Sequence, residues 1–250
     1  MPASSALVAL GETVVLGVKS LRTLTRRPLE AKQILRQVYH MGNRAMRLLM
    51  LMAAFAGMVM AYQFGIGLGR FGALAYIGEL SGYGLTREMI PVLSALVLGG
   101  RMVAGIAAEL GSMVATEQVD AVTALGADPL KKLVMPRLVA ATLVLPIFTI
   151  VGDLVGLFAA MVVARLEYNV PAYGFYSSLR DSMAVGDIAS GVLKAAIFGL
   201  LGSLIACRAG LAARGGTAGV GRATTSAVVQ SSLMVVIADF VVTRLTRSWQ

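Results

Sequence analysis

Five apolar blocks, at about residues 46–69, 88–108, 136–163, 188–210 and 224–246, constrain this chain more than anything else in it. Each approaches the roughly 20 residues that a helix needs to cross the hydrocarbon core of a bilayer. In hydrocarbon every backbone N–H and C=O must be paired within its own segment, so blocks of this length are read as helices. Composition agrees: 57% of the 250 residues are hydrophobic, 14% are charged and 28 are glycine, a balance foreign to a soluble domain. The expected fold class is an all-α polytopic membrane protein with about five transmembrane helices, an N-terminal interfacial helix and a short cytoplasmic helix.

The basic residues orient this arrangement. Residues 1–45 interleave Lys19, Arg22, Arg26, Arg27, Lys32, Arg36 and Arg44 with Leu7, Leu10, Val14, Val15, Val18 and Leu21, the pattern of a helix lying in the membrane interface. No small-residue cleavage site follows a basic start, so the segment is expected to remain on the mature protein. The transmembrane region is then 46–250. With the N-terminus inside, cytoplasmic segments hold eight basic residues in the arm, counting Arg47, three in 109–137, and Arg208, Arg214 and Arg222 before the last block. Outer segments hold six, so the positive-inside rule favours this orientation, with Arg244 and Arg247 as outliers. The outer segment 164–187 carries Tyr168, Pro171, Tyr173, Phe175 and Tyr176 and reads as an interfacial hairpin with its aromatics at headgroup level.

Several chemistries are excluded. The net charge of +9 comes without an aromatic-interleaved basic patch, which argues against nucleic acid. One cysteine, Cys207, and one histidine, His40, leave no set of metal ligands. No G-x-x-x-x-G-K-S/T occurs, so ATP cannot be bound through a P-loop. No Ser-His-Asp or H-E-x-x-H arrangement is present, and the chain is read as a non-enzyme. Gly65, Gly67, Gly69 and Gly72 imitate a dinucleotide fingerprint but follow no strand. Gly65 with Gly69, Gly78 with Gly82 and Gly152 with Gly156 read as small-xxx-small pairs for close helix packing.

Ionisable residues inside the blocks are costly and are read as paired or functional. At 1.5 Å per residue, Arg101 and Asp153 fall at similar depths, as do Lys194 and Asp239, so each couple is expected as an ion pair. The first is read as fixing helix register.

A polar island of 29 residues, Glu109 to Arg137, separates two of the blocks. Thr116 is expected to cap a short helix with Glu117 and Asp120 near its positive end. Val119, Val122 and Leu125 form one face, Glu117, Gln118 and Asp120 another, and Gly126 ends the helix. Asp128-Pro129 restarts the chain as a cap followed by proline.

This island resembles the signature of the Mla/YrbE permease family through AAELGSM (107–113), TEQ-x-DA (116–121) and ALGADPLKKLVMPR (124–137). Further matching stretches are Gly57-Met58-Val59 with Gln63, Arg87-Glu88, and GVGRATTSAVVQSSLMVVIADFVVT (219–243). The resemblance extends over most of the chain from about Val38. It implies the permease (MlaE-like) subunit of an ABC transporter in the bacterial inner membrane, moving phospholipid between inner and outer membranes and maintaining lipid asymmetry. It further implies a homodimer, a separate ATPase (MlaF-like) that binds the ATP, a STAS-domain protein (MlaB-like) and a periplasmic MCE-domain protein (MlaD-like). On this resemblance Met60, Gln63, Phe64, Leu68, Phe71, Arg87 and Glu88 line a lipid cavity at the dimer interface. Glu117, Gln118, Asp120, Leu125, Asp128 and Pro129 couple the membrane domain to the ATPase, and Lys194 with Asp239 forms a conformationally coupled pair. Two alternatives stand beside it: an ion-coupled secondary transporter using Asp153, Asp239 and Lys194 as a proton relay, and a non-transporting membrane scaffold.

Overall fold

The computed structural model describes residues 3–24, 31–42 and 46–246. Arg26, Arg27, Arg44 and Arg247 lie outside these, as do the side chains of Leu7, Leu10 and Leu21. The described residues form helices and connecting turns, with no strand. We label the helices α1 (Ala3–Leu24), α2 (Ala31–Gly42), α3 (Met46–Arg70), α4 (Leu74–Ala115), α5 (Gln118–Ala124), α6 (Leu130–Tyr168), α7 (Ala172–Ser182), α8 (Val185–Leu211) and α9 (Gly216–Thr246). Five of them, α3, α4, α6, α8 and α9, are long and apolar enough to cross a membrane. The described residues of the basic arm thus form two helices.

Four spans begin earlier than hydropathy implies, α8 by only three residues. Helix α4 starts at Leu74, not near 88, because Gly78, Ser81 and Gly82 dilute its first turns with small residues that are nonetheless buried. Those small residues admit α7: a Cβ on Gly78 would meet the Phe175 carbonyl oxygen at 2.2 Å, and one on Gly82 would meet Leu179 at 2.3 Å. Helix α6 starts at Leu130, where Lys131 and Lys132 mask the apolar register, and α9 starts at Gly216. Helix α4 also contains two π-helical stretches, Gly84–Met89 and Ser94–Gly99.

The chain forms two compact units. One comprises 1–42, 99–144 and 197–236, with a core built from Val103, Ile106, Leu110, Val134, Leu138, Ile205 and their neighbours. The other comprises 43–98, 145–196 and 237–250, with a core built from Ala53, Ala61, Ile77, Leu85, Ile90, Ala160, Ala164 and Phe175. In the latter, α3 buries Leu49, Ala53, Gly57, Ala61 and Gly65, a residue every four positions and nearly all small, which is how helices approach closely in lipid. Phe175 turns inward and is 2% exposed, unlike the expected headgroup aromatic. Tyr173 and Tyr176 are exposed, and the Tyr168 hydroxyl donates to the Tyr62 carbonyl at 2.7 Å.

The outward faces carry the opposite chemistry. On α3 the exposed residues Leu51, Phe55, Val59, Tyr62 and Ile66 follow one another at steps of three or four, as do Leu143, Ile147, Ile150, Leu154 and Phe158 on α6. Such stripes in water would be aggregation surfaces; in lipid they match the solvent.

The closest backbone approach in the second unit supplies a test. A Cβ on Gly57 would lie 1.9 Å from the Gly156 carbonyl oxygen, whereas one on Gly67 meets nothing within 4 Å. Gly57→Ala therefore destabilises by about 1–3 kcal/mol, read as a lowered thermal midpoint by circular dichroism in detergent, while Gly67→Ala does not. Equal midpoints for both variants would contradict the packing.

Candidate functional site

The site begins with a proline. Pro91 in α4 has no N–H, so the Arg87 carbonyl loses the donor that an α-helix would place four residues on. The backbone rearranges around it: the Ile90 N–H reaches back five residues to the Leu85 carbonyl within the π-helical stretch. Helix α8 comes against this stretch at Gly191, where a Cβ would lie 2.2 Å from the Thr86 carbonyl oxygen. Three residues further on, Lys194 reaches the opening.

Lys194 is 1% exposed. Its Nζ donates to the Arg87 carbonyl at 2.9 Å and to Glu88 Oε2 at 2.7 Å. It also lies 3.0 Å from Asp239 Oδ1 of α9, a contact of opposite charges whose angle is outside that of a hydrogen bond, since Asp239 Oδ1 has no hydrogen-bond donor. An ammonium has three protons to place, and burying it costs several kcal/mol unless such oxygens replace its water. The Thr243 hydroxyl donates to Glu88 Oε1 at 3.3 Å. Arg87 is held separately, 3.0 Å from Asp187 Oδ1 and 5.3 Å from the centre of the Tyr83 ring. Asp187 in turn accepts from the Ala184 N–H at 2.9 Å, capping the start of α8.

These groups open onto a cavity of ≈ 700 Å³. Arg87, Glu88 and Lys194 line it together with Phe240, Thr243 and Arg244 of α9, and with Ser190 and Thr246, whose hydroxyls lie 3.2 Å apart. The cavity therefore offers two guanidinium groups, a carboxylate and hydroxyls beside one aromatic ring, a lining suited to an anionic or zwitterionic head with an apolar attachment.

Of the residues expected at a lipid cavity, Arg87 and Glu88 line this one. Met60, Phe64 and Leu68 do not: they are half-buried and pack against the core of the second unit, with Met60 and Phe64 resting on the π-helical stretch at Gly84. Gln63 is exposed, and Phe71 is 85% exposed beyond the end of α3. Phe240 is the aromatic side chain in the wall of this cavity. Asp153 is buried in the second unit with Oδ1 unpartnered, and Arg101 is exposed in the first. Sequence reasoning overlooked Asp187, Ser190, Thr243 and Thr246, although a signal exists: Ser190 with Lys194, and Asp239 with Thr243 and Thr246, recur at helical spacing.

The polar island is tied at its ends. Glu109 of α4 and Arg137 of α6 form a two-contact pair, Nη2 to Oε1 at 2.9 Å and Nε to Oε2 at 3.3 Å, with Arg137 4% exposed. Arg137 Nη1 also donates to the Leu133 carbonyl. Thr116 does not cap α5; its hydroxyl donates back to the Ser112 carbonyl at 2.9 Å. Glu117 takes the N-cap position with φ 57°, making no side-chain cap, and Gln118 donates to the Thr116 hydroxyl. Gly126, at φ 74°, ends α5 as expected: its N–H bonds the Thr123 carbonyl and the Ala127 N–H bonds Val122, a Schellman turn. Asp128 Oδ1 accepts from the Leu130 N–H at 2.9 Å, and Pro129, in helical backbone conformation, immediately precedes α6. Val119 packs on the core of the first unit, while Leu125 stands 86% exposed beside the exposed Glu117, Gln118 and Asp120.

A family model described as Permease MlaE matches residues 34–245. The chain belongs to the MlaE permease family. A probable ABC transporter permease protein of Rickettsia conorii is 36% identical to this MlaE-family chain over 239 residues, covering 95% of it and 92% of the relative. A probable ABC transporter permease protein of Synechocystis is 36% identical over 209 residues, 84% of this chain and 80% of the relative. Protein TRIGALACTOSYLDIACYLGLYCEROL 1, chloroplastic, of Arabidopsis thaliana is 35% identical over 210 residues, 84% of this chain and 60% of that protein. The MlaE-family chain is an integral membrane permease subunit, and the site above sits within its spans.

Removing the ammonium would leave Glu88 and Asp239 facing one another. Lys194→Met is expected to destabilise the permease by about 3–5 kcal/mol, and Lys194→Met with Asp239→Asn to recover part of that loss. Thermal midpoints in detergent measure both; a single variant as stable as wild type would refute the pairing.

Proposed function

We propose that this chain is the membrane-spanning subunit of an ABC transporter that moves phospholipid between the inner and outer membranes of a bacterium and maintains lipid asymmetry. Two copies form the translocation cavity, and a separate ATPase supplies energy. The chain lies in the inner membrane with its N-terminus in the cytoplasm, where its basic arm and island meet anionic lipid and the ATPase.

The observation that carries this reading is the open cavity around Lys194, where charged and hydroxyl groups gather beside Phe240 within membrane-crossing helices. A phospholipid head matches that lining, and acyl chains match the apolar stripes of the spans around it. Relatives bearing the name ABC transporter permease, and one bearing a diacylglycerol lipid in its name, support the energy source and the cargo class. In this reading α5 docks on the ATPase through Leu125, Glu117, Gln118 and Asp120, and a STAS-domain protein accompanies the ATPase. A periplasmic MCE-domain protein receives or delivers the lipid. The first span, with its exposed apolar stripe, contributes to the dimer interface.

Affinity purification of the tagged chain from its own membrane in mild detergent, with mass spectrometry of proteins and lipid, tests this. Wild type is expected to bring down a P-loop ATPase, an MCE-domain protein and phospholipid, and Glu117→Arg to lose the ATPase while keeping the others. Recovery of the chain alone, unchanged by the substitution, would sink the proposal in favour of a gradient-driven transporter.

A further inference from the structure

Beside the turn that joins α8 to α9 lies a second, open cavity of ≈ 400 Å³, with three guanidinium groups in its wall: Arg208, Arg214 and Arg222. Arg208 is 14% exposed. Its Nη2 donates to Gln230 Oε1 at 2.7 Å, and Gln230 is set in that orientation by donating to the Ser226 hydroxyl at 2.8 Å. Its Nε is buried without a hydrogen-bond partner. The carboxylate that approaches is Glu12 of α1, 3.3 Å from Nη1 and 56% exposed, so it is largely spent on water. Arg214 and Arg222 are exposed and enter no ion pair among the described residues. The terminal nitrogen Nη2 of Arg222 lies 3.5 Å from the Cβ position of Gly215, so its guanidinium folds over the turn.

The backbone adds charge of the same sign. Helix α9 starts at Gly216 with no acidic residue in its first turn, where carboxylates would ordinarily offset the positive end of the helix. Three cations and a helix start converge with a single weakly held carboxylate between them. Like charges in one cavity repel, and a bound anion removes the repulsion. The guanidinium fork matches phosphate oxygens two at a time, and Ser226 brings a hydroxyl to the same wall.

We propose that this cavity binds a phosphate-bearing anion, either the headgroup of an anionic lipid or a soluble phosphate. None of its residues lines the Lys194 cavity, so the inference stands independently of the transport reading.

The full chain is reconstituted in phosphatidylcholine nanodiscs containing a minor fraction of phosphatidylglycerol, and lipid retained on extraction is counted by native mass spectrometry. In parallel, inorganic phosphate is titrated into the detergent-solubilised chain by calorimetry. Arg214→Gln and Arg222→Gln alter exposed side chains and leave the fold intact; Lys132→Gln removes an equal charge elsewhere on the exposed surface. Wild type is expected to enrich phosphatidylglycerol over the bulk ratio, and each arginine variant to lose about fivefold of that enrichment, with Lys132→Gln unchanged. Saturable phosphate binding with the same residue dependence but no lipid enrichment supports the site and assigns it to a soluble phosphate. Neither enrichment nor phosphate binding, or a loss reproduced by Lys132→Gln, would overturn the proposal.

Discussion

Taking an ammonium out of water costs several kcal/mol unless oxygens replace its hydration, and Lys194 obtains them from stretches of chain far apart in sequence. A carbonyl and a carboxylate come from α4 and a second carboxylate from α9. The arrangement is mutually dependent. Glu88 and Asp239 within a span would repel one another without the lysine, and the lysine could not be buried without them. The carbonyl is available because Pro91 cannot donate to it, and the lysine reaches it because Gly191 lets α8 lie against the Thr86 carbonyl. One proline and one glycine thus position a charge that neither of them carries.

The two surfaces of α3 follow different rules. Inward, small residues at steps of four set the distance between helices; outward, Leu, Phe, Ile and Val at steps of three and four face the solvent that suits them. Lipid gives no hydrophobic reward for helix association, so close packing and the buried charges carry specificity. The first π-helical stretch of α4, Gly84–Met89, carries Arg87 and Glu88 and lies against α8 at Gly191; it adds a residue to a turn and shifts which side chains face inward.

The spans were legible because a run of apolar residues near bilayer length has few other physical meanings. Their beginnings were not: a helix opening with Gly78, Ser81 and Gly82, or with Lys131 and Lys132, lacks apolar character although it packs or caps well. The ends of α5 were partly readable. Gly126 and Asp128-Pro129 act through their own backbone preferences, whereas Thr116 is claimed by the preceding helix. At the cavity, Lys194 and Asp239 announced themselves as costly charges, and Glu88 came from family likeness. Met60, Phe64 and Leu68 came from family likeness, since apolar side chains on a span look alike in sequence whether they face a cavity or a core.

The tie between Glu109 and Arg137 has a mechanical consequence. Because both oxygens of one carboxylate engage one guanidinium, the mouths of α4 and α6 are clasped at the base of the island, and the chain between them is a closed ring. The island is therefore a loop closed at its base, its two ends held by side chains rather than by the island's own backbone.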